Sequence, residues 1–380
     1  MRDHLTGMFQ AGIDACLPKR VLPGHLPPLP KGRLIVLALG KAAAAMAKVA
    51  EAHYGYALKG AAVVPHGVTG DLERIELLHA GHPIPDEASV AAAERLLALA
   101  AEAGPGDFVL VLLSGGASSL ACLPGEGLSL AEKRALTQGL LRSGAAVGEV
   151  NCVRRHLSRI KGGRLNAQLT LAISDVTGGA AEDIGSGPSV ADPTTIADAR
   201  AILDRHRLPS PAAGWSETRK IASGGFRIVA GPADALAAAA GEAMKLGYKP
   251  VLLGEVGGEA REIGRGHAQI ALGLAPGSAL ISGGELTVTV TGDGRGGPNL
   301  EYALAAGMAL AGREDILGLA ADTDGLDGTS GAAGAFFGGA PVAGAAAALA
   351  AHDSAASADL FVTGPTGTNV NDLRIILVAP

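Results

Sequence analysis

Short apolar runs alternate with Ala-rich helical segments from Arg33 through Leu253, and this alternation constrains the fold more than any other feature of the chain. Arg33–Leu39 is an apolar run, Gly40-Lys41 turns the chain, and Ala42–His53 reads as a helix. The unit recurs, with strands expected at Ala61–Pro65, Phe108–Leu113, Leu169–Ile173, Arg227–Ala230 and Lys249–Leu253. Helices are expected at Glu87–Ala103, Leu130–Ser143, Thr194–His206 and Pro232–Leu246, and an opening helix at 3–17 precedes a Pro-rich linker, Leu22–Pro30. Such alternation argues for α/β layers around a mostly parallel sheet.

After Leu274-Ala-Pro-Gly277 the texture changes. Ala279–Ser282 is apolar, and Glu285–Thr291 then alternates Leu and Val with Thr, the pattern of a half-exposed strand in a mixed or antiparallel sheet. A helix over Leu300–Ala311, a strand at Ile316–Ala320, a Gly/Asp loop and an Ala-rich helix follow. Closing strands fall near Leu360–Thr363 and Arg374–Val378. A chain of 380 residues exceeds what one hydrophobic core usually organises, so two domains are expected, 1–255 and 256–380.

Composition narrows the function. Hydrophobic residues at 48% against 18% charged describe a globular chain. Aromatics are 3%, the net charge is −6, and no basic patch interleaves with aromatics, which argues against nucleic-acid binding. The first residues lack a basic start followed by an apolar stretch, so no secretory leader is expected. Ala335–Ala351 contains Gly and Pro and too little Leu or Ile for a membrane span. Cys16, Cys122 and Cys152 show no short pairing and suit a reducing cytoplasm.

Chemistry concentrates in Gly-rich loops. Ser114-Gly-Gly-Ala-Ser-Ser119 follows an apolar strand, and its small residues would let backbone amides approach a carboxylate or phosphate. Lys41 sits where a strand enters a helix, either as part of an anion site or as a solvated first-turn lysine. Asn151 to Arg164 is the densest cationic stretch. At helical spacing Arg154, Leu157, Ser158 and Lys161 share a side, with Gly162-Gly163 ending the helix; a polyanion site and a solvated basic face both fit. Asp175 lies just past a strand end, where an acid can hold Mg²⁺, accept a proton, or simply shape a turn.

Gly292-Asp-Gly-Arg-Gly-Gly297 matches G-x-G-x-x-G, but the preceding strand alternates and Pro298 interrupts the following helix, so dinucleotide binding is weakly supported. The loop can still approach phosphates, with Arg295 as charge partner. Asp322, Asp324 and Asp327 gather on one loop, suited to Mg²⁺ or to an acidic turn. Thr363-Gly-Pro-Thr-Gly-Thr-Asn369 is another hydroxyl-and-glycine loop, or a plain turn.

Taken together these segments resemble one family, the type 2 glycerate kinases, whose C-terminal part is the MOFRL domain. The matching stretches are Leu39-Gly-Lys-Ala-Ala43, His79-Ala-Gly-His-Pro-Ile-Pro-Asp86, Ser114–Ser119, Arg155–Arg164 and Ile173-Ser-Asp-Val176. They continue with Ser186-Gly-Pro188, Ser282-Gly-Gly-Glu285, Thr323–Gly328 and Thr363–Val370. The resemblance implies a Rossmann-like N-terminal α/β/α domain, a smaller α/β C-terminal MOFRL domain with a mixed sheet, and an active site in the cleft between them. It implies ATP-dependent phosphorylation of D-glycerate at its 2-hydroxyl to give 2-phosphoglycerate.

On that reading Lys41, Asp175 and Arg295 are the catalytic candidates. Ser114, Gly115, Gly116, Ser118, Ser119, Arg154, Ser158 and Lys161 would bind substrate. Gly292, Gly294, Gly296, Gly297, Asn299 and Glu301 would meet the nucleotide, and Asp322, Asp324 and Asp327 would hold Mg²⁺. Pro298 stands where members often have Arg, leaving Arg295 to carry that charge, and Gly178-Gly179 stands where many read Gly-Asp. The expected partners are D-glycerate and a nucleotide, with no nucleic acid or membrane, a cytoplasmic location, and room for a homodimer. Two other classes remain open: an NAD(P)H-dependent hydroxypyruvate reductase, a label some relatives carry, and a catalytically silent anion-binding homologue.

Overall fold

The structure, a computed structural model, describes residues 1–380 apart from Thr291 and Pro341, and says nothing of the Thr177 side chain. In chain order the elements begin α1 (Arg2–Ala15), α2 (Pro18–Val21), β1 (Leu34–Leu39), α3 (Ala43–Tyr54), β2 (Leu58–Pro65) and β3 (Ile75–Ala80). They continue α4 (Glu87–Ala101), β4 (Phe108–Leu113), α5 (Ala117–Leu120), α6 (Leu130–Arg142), α7 (Val147–His156), β5 (Leu169–Ile173) and α8 (Ile196–Arg205). Next come β6 (Gly225–Ala230), α9 (Pro232–Lys245), β7 (Lys249–Glu255), β8 (Gly258–Glu259), α10 (Ala260–Leu272), β9 (Ser278–Gly284) and β10 (Leu286–Thr287). The chain closes with α11 (Pro298–Ala309), β11 (Ile316–Asp322), β12 (Gly334–Gly338), α12 (Ala345–Ala350), β13 (Asp359–Phe361) and β14 (Asp372–Val378).

Two compact units form, one from Val21–Val229 and the other from Met1–Arg20 with Ala230–Pro380. The first holds a six-stranded sheet of order β3-β2-β1-β4-β5-β6, with β1 parallel to both β2 and β4. β1 reads Leu-Ile-Val-Leu-Ala-Leu and is buried throughout, as a parallel strand covered on both faces must be. This order matches that of doubly wound nucleotide-binding sheets, and it places a topological switch point between β1 and β4.

The second unit holds a mixed sheet, β13-β12-β11-β14-β9-β7. β11, β12 and β14 pair antiparallel, whereas β7 runs parallel to β9. The strand expected over Glu285–Thr291 is only β10, paired with β8 in a separate two-stranded ribbon, and Thr291 lies outside the described residues. Pro298 does not interrupt α11. It occupies the first turn, where its missing N–H would have been unpaired anyway.

The units do not divide at 255. α9 and β7 continue the alternating texture of the N-terminal half, but β7 hydrogen-bonds into the second sheet, and texture cannot reveal a partner. The opening helix belongs to the second unit as well. Leu5, Met8, Phe9 and Ile13 of α1 are buried with Leu236, Ala239, Ala243 and Leu373, each such large side chain contributing about 1.5–3 kcal/mol. Gly12 permits the close approach, since a Cβ there would lie 2.8 Å from Leu373 Cδ2 and 3.2 Å from the Ala235 carbonyl oxygen.

Candidate active site

The loops that leave β1 and β4 meet at the switch point. Lys41 N donates to Gly115 O at 2.8 Å, Ser114 N to Leu39 O at 2.9 Å, and Ala42 N to Ser114 Oγ at 3.0 Å. Ser114 is fully buried, so its hydroxyl joins the two loops and is not presented to a ligand. Gly116 has φ +81°, and a Cβ there would lie 2.9 Å from His82 Nε2 and 3.3 Å from Lys41 Cγ. A bare backbone at 116 is therefore what brings Lys41 and His82 to the same turn. Asp175 follows β5, next to β4 in the sheet, and so stands at this same sheet edge one strand over.

Beside the turn lies a cavity of about 250 Å³, lined by Ser118 and Ser119 of α5, Lys133 and Arg134 of α6, Arg154 of α7, and Lys161. Pro83, Ile84 and Leu141 form part of its apolar wall. Lys161 Nζ donates to Ser118 O at 2.7 Å and Ala121 O at 3.1 Å. Lys133 Nζ donates to Arg154 O at 3.2 Å and to Leu157 O, placing an ammonium at the negative end of α7. Burial, reinforced by the neighbouring cations, pulls Lys161 down to about 7 and Lys133 to about 8, and burial lowers Arg154 too. Four of the expected substrate residues, Ser118, Ser119, Arg154 and Lys161, thus come together.

The basic stretch is not one helix. α7 ends at His156, and Ser158 Oγ accepts from Ile160 N and Lys161 N at 3.2 Å, closing a turn that a helical projection misses. Ser158 is buried and also donates to Leu123 O, so it shapes the turn. Arg155 is an interior cation, paired with Asp183 at 3.3 Å and Asp192 at 3.0 Å. Lys133 and Arg134 went unnoticed in the sequence. The signal was there: Lys133 falls in the apolar stripe of Leu136 and Leu140, an anomaly for a surface helix.

In the second unit Gly294, Gly296, Gly297 and Glu301 line a separate cavity of about 370 Å³ with Thr329 and His352. The space a Cβ would take is filled by the chain itself, by Ala351 O at Gly292 (2.7 Å) and by Asp353 Cα at Gly294 (2.6 Å). At Gly296 and Gly297 the neighbours are Ser354 and the Asp327 carboxylate. Arg295 is held on this loop, its N donating to Asp353 Oδ1 at 3.0 Å and Nη2 to Thr329 O at 3.3 Å. Glu301 is buried against Arg261 (2.7 Å) and His352 (2.9 Å).

Asp327 caps α11. Its oxygens accept from Asn299 N and Leu300 N, each at 3.0 Å, and burial pushes the carboxyl up to about 7 against the opposing pull of those amides. Asn299 Nδ2 bridges to Asp372 Oδ1 at 2.6 Å. Asp322 accepts from Asp324 N, and Asp324 accepts from Leu326 N. Among the described residues, no three His, Cys, Asp or Glu side chains gather as a metal-ligating group. Of the three aspartates, Asp327 is thus committed to the first-turn amides of α11.

Fold and site together define a two-unit α/β protein with a cation-lined cavity at a nucleotide-fold switch point. The family model described as a domain of unknown function, DUF4147, matches residues 4–214, and the MOFRL family model matches residues 278–372. The D-glycerate 2-kinase of Thermotoga maritima is 38% identical, over 98% of this chain and 97% of its own. The crystal structure of a Thermotoga maritima glycerate kinase superposes with a TM-score of 0.86 at 37% identity, covering 99% of each chain. An Agrobacterium vitis protein named "Putative hydroxypyruvate reductase" is 43% identical, over 99% of this chain and 94% of its own. The chain belongs to the glycerate kinase family that joins DUF4147 and MOFRL regions.

Proposed function

We propose that the chain is an ATP-dependent D-glycerate 2-kinase, transferring the γ-phosphoryl group to the 2-hydroxyl and releasing 2-phosphoglycerate and ADP. The observation that carries this reading is the near full-length similarity to the Thermotoga maritima kinase. The cation-lined cavity beside the Lys41–Gly116 turn supports it chemically, because phosphoryl transfer is chiefly positioning and neutralisation of charge.

In this proposal Lys41 stabilises charge developing on the phosphoryl oxygens, and Asp175 orients or deprotonates the 2-hydroxyl. Ser118, Ser119, Arg154 and Lys161 hold the glycerate carboxylate and the transferring phosphate. The loop at 292–297, with Arg295, meets nucleotide phosphates. Asp322 and Asp324 would hold Mg²⁺ directly or through water, where it would neutralise phosphate charge, and Asp327 is retained as the helix cap. The ATP requirement accords with a cytoplasmic location.

A reductase is not favoured. Among the described residues, the strand that precedes the Gly292–Gly297 loop is β10, two residues paired with β8 and short of the long parallel strand a dinucleotide fingerprint requires. The test is a coupled assay with D-glycerate, ATP and Mg²⁺, scoring 2-phosphoglycerate against 3-phosphoglycerate, with NADH and hydroxypyruvate as the control. NADH oxidation without ADP formation would sink the kinase reading.

Gly116→Ala is expected to lower kcat/KM about 100-fold, because the new methyl must displace His82 or Lys41 and small misplacements are costly in phosphoryl transfer. Steady-state kinetics alongside a melting curve check this, and near-normal turnover in the folded variant would refute it.

A further inference from the structure

Helix α6 lays one face along the cavity of the first unit: Arg134, Thr137 and Leu141 recur at i, i+3 and i+7, and all three line it. Lys133 joins them from the same helix, and Arg154 and Lys161 face the cavity from other elements. Among the described residues that line it there is no carboxylate. The ammonium groups of Lys133 and Lys161 are seated on backbone carbonyls, but Arg134 Nε is buried without a hydrogen-bond partner. Cations withdrawn from water with no counter-charge are costly unless a ligand supplies it. Glycerate would bring a single negative charge to these four side chains. A phosphoryl group brings close to two, with three acceptor oxygens that suit the fork of a guanidinium.

We propose that this cavity is a phosphoryl-group pocket in which Arg134 of α6 and Arg154 of α7 bind phosphate oxygens directly, while Lys133 and Lys161 keep the walls positive. The inference rests on the kinase reading, which supplies phosphoryl groups from two sources, the nucleotide and the phosphorylated three-carbon acid. Arg134 then becomes a determinant of affinity for phosphorylated ligands and not for glycerate itself.

Calorimetric titration of the whole protein with inorganic phosphate, 2-phosphoglycerate, ADP and D-glycerate tests it. Arg134→Gln should weaken phosphate binding about 10- to 100-fold, the effect of losing charge-assisted hydrogen bonds, and change glycerate binding less than twofold. Arg134→Lys should recover part of the loss. A second readout uses the wild-type chain: all three cysteines are buried, but Cys122 lines the cavity, so Cys16 and Cys152 serve as internal controls. Phosphate should slow alkylation of Cys122 alone, followed by peptide mass spectrometry. Protection by 2-phosphoglycerate or by ADP supports the pocket and identifies the source. Equal phosphate affinity in wild type and Arg134→Gln, or no protection by any phosphorylated compound, overturns it. Protection without glycerate turnover would sink the kinase reading and leave the pocket standing, whereas turnover without protection would sink the pocket alone.

Discussion

Lys41→Ala should lower kcat for D-glycerate phosphorylation about 100- to 1,000-fold while leaving the protein folded. The magnitude follows from the removal of one preorganised positive group from developing transition-state charge. Folding should survive because Lys41 N reaches Gly115 O across the two switch-point loops, and an alanine keeps that backbone bond. A coupled ADP-release assay measures the loss, and a thermal melt checks the fold. KM for glycerate should move much less than kcat, since Ser118, Ser119, Arg154 and Lys161 hold the carboxylate in this scheme. Near-full turnover in a folded variant would remove Lys41 from the mechanism.

Asp327→Ala is expected to destabilise the C-terminal unit by about 2 kcal/mol or more. The substitution removes a helix cap and leaves the amides of Asn299 and Leu300 buried without acceptors. Its pH dependence runs opposite to that of an ordinary paired carboxylate. Burial lifts Asp327 to about 7 in the folded chain, whereas the unfolded chain releases the proton near the usual carboxylate range. Between about pH 4 and 7 the folded state holds the extra proton, so the stabilising contribution of Asp327 falls as pH rises. The cost of Asp327→Ala should therefore be greater at pH 5 than at pH 8. Urea unfolding of both proteins at the two pH values measures it, and a larger cost at pH 8 would show an ionised cap stabilised by the helix amides.

Much of this architecture could be read in the order of residues. β1 and β4 are unbroken apolar runs because both faces of a parallel sheet are covered, and such runs advertise themselves. Ser118, Ser119, Arg154 and Lys161, singled out by small residues and charges, do line one cavity. What escaped depends on partners distant in sequence. β12 has the composition of a loop, and its pairing with β11 exists only once residues 316–322 are in place. Arg134 looks like an ordinary charge on an amphipathic helix until Arg154 of α7 and Lys161 line the same cavity with it. Asp327 read as a metal ligand because nothing local shows that its oxygens face the first turn of α11.

The placement of α1 carries a consequence for how the chain is made. Its apolar face, Leu5, Met8, Phe9 and Ile13, is covered by α9 and β14, which are synthesised far later. At about 5–20 residues per second, roughly 12–46 s separate α1 from the completion of α9 on a ribosome. Over that interval α1 stays uncovered while residues 21–229 can already assemble behind it. The second unit draws on segments from both sides of residues 21–229, so its core cannot close until α9 and β14 have been made.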